Sequence, residues 1–94
     1  MYILRIEHPI FDYDGWKAAF ESDPVGRVKS GVRRYRILRP VDDPKYVIID
    51  LEFDTIRQAE ALLAAMKVVW GSIEGTIMMN AKTRIVEAVE THEY

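Results

Sequence analysis

The sequence contains no cysteine, and this absence excludes several classes of protein. Disulfide-stabilised folds, zinc knuckles and thiol catalysis all depend on cysteine side chains. Long apolar runs are missing too, since none approaches the roughly 18 residues that cross a membrane as a helix. The start, MYILRIEHP, has no basic segment before its short apolar run and does not resemble a signal peptide. We therefore expect a cytoplasmic protein without a membrane partner.

Histidine is scarce, and His8 and His92 lie near opposite ends of the chain. There is no H-E-x-x-H pair, so we predict no metal site. The phosphate-binding G-x-x-x-x-G-K-[ST] loop and the G-x-S-x-G turn of serine hydrolases are absent as well. The sequence thus offers no cofactor motif and no recognisable catalytic set, and we expect no cofactor.

The composition is that of a folded domain with little net charge. The chain has 94 residues, of which 49% are hydrophobic and 30% charged, and this suits a single domain over residues 1–94. The net charge of −2 argues against a duplex-binding protein, which is usually basic, so we expect no nucleic-acid partner. A chain of this size buries only about two-thirds of its unfolded surface, so self-association would add useful apolar burial.

Four segments have the β-branched and aromatic residues and the alternation of strands. The predicted strands are Tyr2–His8, Val32–Pro40, Tyr46–Phe53 and Thr83–Glu90. Pro9 should end the first strand, because its ring removes a backbone donor. The second and third strands are close enough in sequence to form a hairpin.

The first helix is predicted over DYDGWKAAFESD, with Asp12 or Asp14 as its N-cap. Its apolar face consists of Tyr13, Trp16, Ala19 and Phe20. Asp23 and Pro24 then predict the start of a short helical turn, which Gly31 should end.

The second helix is the clearest element of the sequence. Thr55 and Gln58 form a T-x-x-Q capping box at its start, and Gly71 is predicted to end it. Its apolar face comprises Ile56, Ala59, Leu62, Leu63, Met66, Val69 and Trp70. The next segment, SIEGTIMMNAK, is predicted as a loop.

The resulting order, β-α-β-β-α-β, predicts an α+β protein of the ferredoxin-like class. Its antiparallel sheet would carry both helices on one face and leave the other face open. The third strand has apolar residues on both sides, with Ile48 on the side opposite Val47 and Ile49. We therefore expect the apolar residues on both faces of that strand to be buried against other parts of the protein or against a second copy.

The stretch DYDGWKAAFESDPVGR…GVRRYRILRPVDDPKYVIIDLEFD, with the order of elements, resembles the dimeric α/β-barrel superfamily. The resemblance covers nearly the whole chain and is nearest to small stand-alone bacterial proteins of that superfamily. It implies a homodimer in which two sheets pack face to face and close a barrel. Members include cofactor-free monooxygenases acting on polyketide-like quinols, haem-degrading enzymes, muconolactone-isomerase-like enzymes and stress-induced proteins.

Two departures limit what the resemblance implies about activity. Haem-binding members supply an axial histidine from the helical side, whereas the long helix here has none. The antibiotic-biosynthesis monooxygenases use an Asn/Trp/Tyr-type set around the substrate. This chain has one asparagine, Asn80, in the predicted loop after the second helix, and its tryptophans, Trp16 and Trp70, lie on the predicted helices. These residues give no alignment with the positions of the enzymes, so no catalytic role is carried over.

The most basic stretch is GRVKSGVRRYRILRP, which lies around the second strand. Alternation places Arg34 and Arg36 on one face of that strand, and Asp50 and Glu52 share one face of the next. A ladder of cross-strand charge pairs is the favoured interpretation. The alternative is an anion pocket that uses whichever of Arg34 and Arg36 stays unpaired.

His8, Trp16 and Trp70 are the other candidate ligand residues. His8 is most simply a capping or surface histidine, and the alternative is a general base at a pocket mouth. Trp16 belongs more naturally to the core, whereas Trp70, with Met66 and the later methionines Met78 and Met79, could border a cavity for a flat apolar molecule.

Two functions of different class are consistent with this pattern. The favoured one is a dimer that binds a small hydrophobic or aromatic ligand without an evident catalytic set. The alternative is a cofactor-independent monooxygenase or polyketide-cyclase-like enzyme, in which an arginine or His8 polarises an oxygen. A third hypothesis is an anion-binding module that uses the arginine-rich second strand.

Overall fold

The structure, a computed structural model, describes residues 1–23, 26–73 and 81–94, with the backbone alone for residues 71–73. Its helices and strands follow one another in the predicted order. They are β1 (Tyr2–Pro9), α1 (Tyr13–Glu21), β2 (Arg34–Leu38), β3 (Tyr46–Phe53), α2 (Ile56–Ile73) and β4 (Lys82–Glu87).

The strands form one antiparallel sheet in the order β2-β3-β1-β4. The central pair is β1 and β3, where Arg5 lies opposite Asp50 and His8 lies opposite Val47. On the outer strands, Arg36 lies opposite Asp50 and Arg84 lies opposite Arg5. This order and the two helices give the α+β, ferredoxin-like architecture expected from the sequence.

Both helices pack on one face of the sheet, because that face presents the apolar residues of the two central strands. The buried cluster combines Leu4, Ile6, Val47, Ile49, Leu51 and Phe53 from the sheet with Ile10, Trp16, Ala59 and Leu62 from the adjoining loop and the helices. Alternation along each strand leaves the charged residues on the opposite side. We call that opposite side of the sheet the open face.

The helix starts use the predicted caps. The Asp12 side chain accepts a hydrogen bond from the Gly15 N–H at 2.7 Å. At α2, the Gln58 N–H donates to Thr55 Oγ1 and the Thr55 N–H donates to Gln58 Oε1, both at 3.2 Å. These reciprocal bonds satisfy backbone donors that have no partner inside the helix.

Several predicted boundaries were wrong. Gly71 does not end α2, which continues to Ile73, because glycine inside a helix costs only about 1 kcal/mol. The last strand ends at Glu87 and not at Glu90, since Glu87 already lies opposite Tyr2, where β1 begins. The second strand keeps only Arg34–Leu38 of its predicted length.

The segment between α1 and β2 is turn-like. The Asp23 carboxylate accepts from the Arg27 N–H at 2.9 Å, as a capping residue does, although Asp23 itself has a positive φ of 50°. Gly31 has φ 95°, which suits the glycine predicted to end a helical turn. Pro24, the predicted first residue of that turn, lies outside the described residues.

The α2 cap can be tested by replacing Thr55 with alanine, which removes the acceptor for the Gln58 N–H. We expect the free energy of unfolding to fall by about 1 kcal/mol, measured by urea denaturation. Thr91→Ala, in the exposed C-terminal segment, is the matched control and should leave stability unchanged. Equal stability of the two variants would contradict the capping role.

Candidate ligand site

His8 lies on the helix-facing side of β1 and is completely buried. The expectation of a capping or surface histidine is therefore wrong, because the strand alternation turns this side chain toward the core and not toward solvent. Its Nδ1 lies 2.9 Å from the carbonyl oxygen of Pro9. Its Nε2 has no hydrogen-bond partner among the described residues.

These contacts show which ring nitrogen of the neutral imidazole carries the proton. A carbonyl oxygen can only accept, so Nδ1 carries the proton and its N–H donates a hydrogen bond to the Pro9 carbonyl oxygen. In the neutral ring, Nε2 then holds a lone pair that can accept a hydrogen bond or a proton. Burial lowers the pKa of His8, although the bond to Pro9 opposes this effect. The side chain is thus a neutral acceptor at neutral pH.

A chain of aromatic rings begins at His8 and runs along α1. The ring centroid of His8 is 6.1 Å from that of Trp16, and Trp16 lies 5.8 Å from Tyr13 and 5.3 Å from Phe20. Phe20 in turn meets Tyr35 of β2 edge-on at 5.1 Å. The ring next to the imidazole in this chain is therefore that of Trp16.

Trp70 does not belong to this chain of rings. It is half-buried near the C-terminal end of α2, where it packs against the core cluster together with Met66. Met78, Met79 and Asn80, which the sequence suggested near a cavity or a catalytic set, lie outside the described residues.

Arg34 and Arg36 point to the open face and are both paired. Arg34 contacts Glu52 at 2.7 Å, and Arg36 reaches Asp50 at 3.4 Å. The charge ladder favoured from the sequence is present, and neither arginine is left unpaired as the anion-pocket interpretation required. Because His8 and Trp16 lie on the other side of the sheet, the candidate ligand residues divide into two groups that do not meet.

Asp50 is the centre of the charged group. Both of its oxygens accept from Arg5, from Nε and from Nη2, at 2.8 Å each, and Arg36 adds the longer third bond. Asp50 is only 1% exposed, and the hydrogen bonds from Arg5 lower its pKa against the opposing effect of burial. The carboxylate therefore stays ionised, and the hydrogen bonds from Arg5 and Arg36 take up most of its capacity to accept further hydrogen bonds.

Sequence reasoning missed one member of this group, Arg84, which stands beside Arg5 on β4. Together, Arg36, Asp50, Arg5 and Arg84 form one row across all four strands, which we call the central arginine row. Only the register reveals it, because the four residues come from distant parts of the chain.

Two other kinds of feature are absent from the described residues. These residues contain no group of three or more His, Asp or Glu side chains that could hold a metal ion. None of the helices in this part of the chain is long and apolar enough to cross a membrane.

Comparison with solved structures places this arrangement in a known fold. A candidate antibiotic biosynthesis monooxygenase from Nitrosomonas europaea superposes with a TM-score of 0.69 at 19% identity, covering 94% of this chain and 89% of that one. A variant of SnoaB, a cofactor-independent oxygenase from Streptomyces nogalater, gives 0.73 at 10% identity, covering 96% and 94%. A dimeric ferredoxin-like protein from an uncultured marine organism gives 0.60 at 13% identity, covering 99% and 97%.

The chain has the ferredoxin-like fold of these proteins. No protein-family model matches the sequence, and no curated protein matches it either. The resemblance noted from the sequence is confirmed at the level of the fold, since the solved structures are antibiotic-biosynthesis-monooxygenase-like and dimeric ferredoxin-like proteins.

The buried His8 of this ferredoxin-like fold should make stability depend on pH. An unfolded chain protonates histidine near pH 6.5, whereas the folded protein does so only at lower pH, because burial lowers the pKa. Between those two values the unfolded state binds more protons, so stability falls as pH decreases through about 6.5. One such group contributes at most about 1.4 kcal/mol per pH unit.

The measurement is urea denaturation between pH 8 and 5. His8→Phe should lose this component of the pH dependence, and His92→Gln, in the exposed C-terminal segment, should retain it. If H8F followed the same pH profile as the wild type, the neutral buried state of His8 would be refuted.

Proposed function

We propose that the protein is a homodimeric α/β barrel that binds a small aromatic or otherwise hydrophobic ligand beside His8 and Trp16. The observation that carries the proposal is a fully buried imidazole next to Trp16 whose Nε2 has no hydrogen-bond partner among the described residues. A buried acceptor without a partner lowers the stability of the fold by roughly 1–3 kcal/mol, so such acceptors are rare in folded proteins and call for a functional explanation.

The ligand that best fits these groups is an aromatic molecule bearing a hydroxyl group. Its ring would pack on Trp16, and its hydroxyl would donate to Nε2, since Nδ1 is already engaged with Pro9. A polyketide-like phenol has both features. The burial of His8 would strengthen such a bond, because little water competes for the acceptor.

The homodimer is proposed from the open face and from the structural relatives. Half-buried Ile3, Leu38, Ile48 and Val86 lie among the charge pairs of that face. Two of the structural matches are described as dimeric ferredoxin-like proteins. Packing two open faces together would cover these apolar residues and leave the His8 side of each sheet to its own helices.

A cofactor-independent monooxygenase or a polyketide-cyclase-like enzyme is the second candidate. The observation that favours it is the neutral imidazole, because a free Nε2 lone pair could take the proton of a bound phenol and act as a general base. SnoaB, one of the structural matches, is described as a cofactor-independent oxygenase. The anion-binding alternative at β2 is less favoured, since Arg34 and Arg36 already contact acids.

Ligand binding can be tested with Trp70→Phe, which leaves Trp16 as the only tryptophan in the chain. Quenching of its fluorescence is titrated with 1,5-dihydroxynaphthalene and with naphthalene. We expect the hydroxylated compound to bind about tenfold more tightly, because it satisfies Nε2. Adding His8→Phe should remove that preference while naphthalene still binds.

The same titration separates the two candidate functions. Oxygen consumption with the hydroxylated compound that disappears in H8F would indicate the enzyme, and binding without turnover would indicate the ligand-binding dimer. Equal affinity for both compounds, or a preference that survives in H8F, would overturn the role of His8.

The oligomeric state is tested by light scattering at micromolar concentration. We expect twice the 10.9 kDa of one chain. Ile48→Lys adds a further positive charge to the open face in place of an apolar side chain and should shift the protein toward monomer, whereas Val68→Lys, on the exposed surface of α2, should not. A particle of 10.9 kDa for the wild type would contradict the dimer.

A further inference from the structure

The open face carries more positive than negative charge, although the whole chain is acidic. The strand register places on it Arg5, Arg34, Arg36, Lys82 and Arg84, against Glu7, Asp50 and Glu52. The excess of two positive charges contrasts with the chain's net charge of −2. Positive charge is therefore concentrated on the open face.

The excess is concentrated in the central arginine row. In the neighbouring rows, Arg34 is matched by Glu52, and Lys82 lies opposite Glu7. The central arginine row instead has three guanidinium groups around a single carboxylate, Asp50. Two oxygens of one carboxylate cannot neutralise three cations.

The geometry leaves donors available in that row. Arg5 uses Nε and Nη2 on Asp50, and its side chain is still 43% exposed. Arg36 holds Asp50 through a single long contact and is 62% exposed. Arg84 is exposed and has no ion pair or hydrogen bond within the described part of the chain.

Arg84 also stands directly opposite Arg5. Side chains at such positions have Cβ atoms about 4.5–5.5 Å apart, and like charges placed there destabilise a sheet. A negatively charged group between the two guanidinium groups would convert this repulsion into attraction, and guanidinium forks bind carboxylate and phosphate oxygens in a bidentate manner.

We propose that Arg84 and Arg5, supported by Arg36, form a binding site for a small oxyanion, a carboxylate or phosphate group, on the open face. The site lies on the opposite side of the sheet from His8 and does not depend on the ligand proposed there. In the proposed homodimer it would lie between the two packed open faces. It also differs from an anion pocket on β2 alone, because it centres on the β1–β4 pair.

The test compares thermal unfolding of the wild type, Arg84→Gln and Arg57→Gln. Arg57 is an exposed arginine on α2, so R57Q changes the net charge equally at a distance from the site. Inorganic phosphate and malonate are each titrated in the low millimolar range against sodium chloride at matched ionic strength. The two anions distinguish a phosphate from a carboxylate preference.

We expect a saturable rise in melting temperature for the wild type and for R57Q, and an apparent affinity about tenfold weaker for R84Q. In chloride alone, R84Q should be at least as stable as R57Q, because it removes a like-charge contact. The Nε–Hε resonances of Arg5 and Arg84 should shift on titration with the preferred anion.

Two results would overturn the proposal. One is an identical, non-saturating stabilisation of all three proteins, which would be the general effect of excluded salts. The other is the absence of any anion-dependent shift in the Nε–Hε resonances of the wild type. This second measurement needs no substitution, so it remains decisive even if R84Q folds poorly.

Discussion

The register of β1 against β3 determines what each face of the sheet carries. The bidentate contact of Arg5 with Asp50 lies in the middle of this central pair, and the buried Leu4 and Ile6 flank Arg5 on the other side. A shift of one residue would move Asp50 into the apolar core and expose the core side chains. The charge pair therefore selects against alternative registers, and both candidate sites depend on the register that it favours.

The orientation of the His8 side chain follows from the same strand register. Once Arg5 faces Asp50, alternation turns His8 toward the helices, and α1 covers it with Trp16. The buried residues beside His8 on the helix-facing side of β1, Leu4 and Ile6, are apolar, and the imidazole bonds instead to the adjacent backbone at Pro9. An acceptor is thus held in place by a strand that the core itself anchors, which is the rigid support that a specific ligand contact requires.

Much of the fold could be predicted from sequence patterns that act locally. Both ends of β3 and the Thr55 capping box were predicted because alternation and capping involve neighbouring residues. The burial of His8 could not be predicted, since β1 has apolar residues on both sides and only packing decides which side meets the helices. The position of Arg84 was missed for a related reason, because cross-strand neighbours depend on a register that no local pattern encodes.

The two faces of the sheet would have different roles in a homodimer. If two open faces pack together, the central arginine rows approach one another and their excess charges add within a region of reduced water access, where repulsion is stronger than at a free surface. Bound oxyanions, or acids contributed by the second copy, would have to offset that repulsion. Dimerisation of the proposed barrel should therefore respond to the anion present, whereas the ligand site proposed at His8, on the helix-facing side of the sheet, should respond to the aromatic ligand.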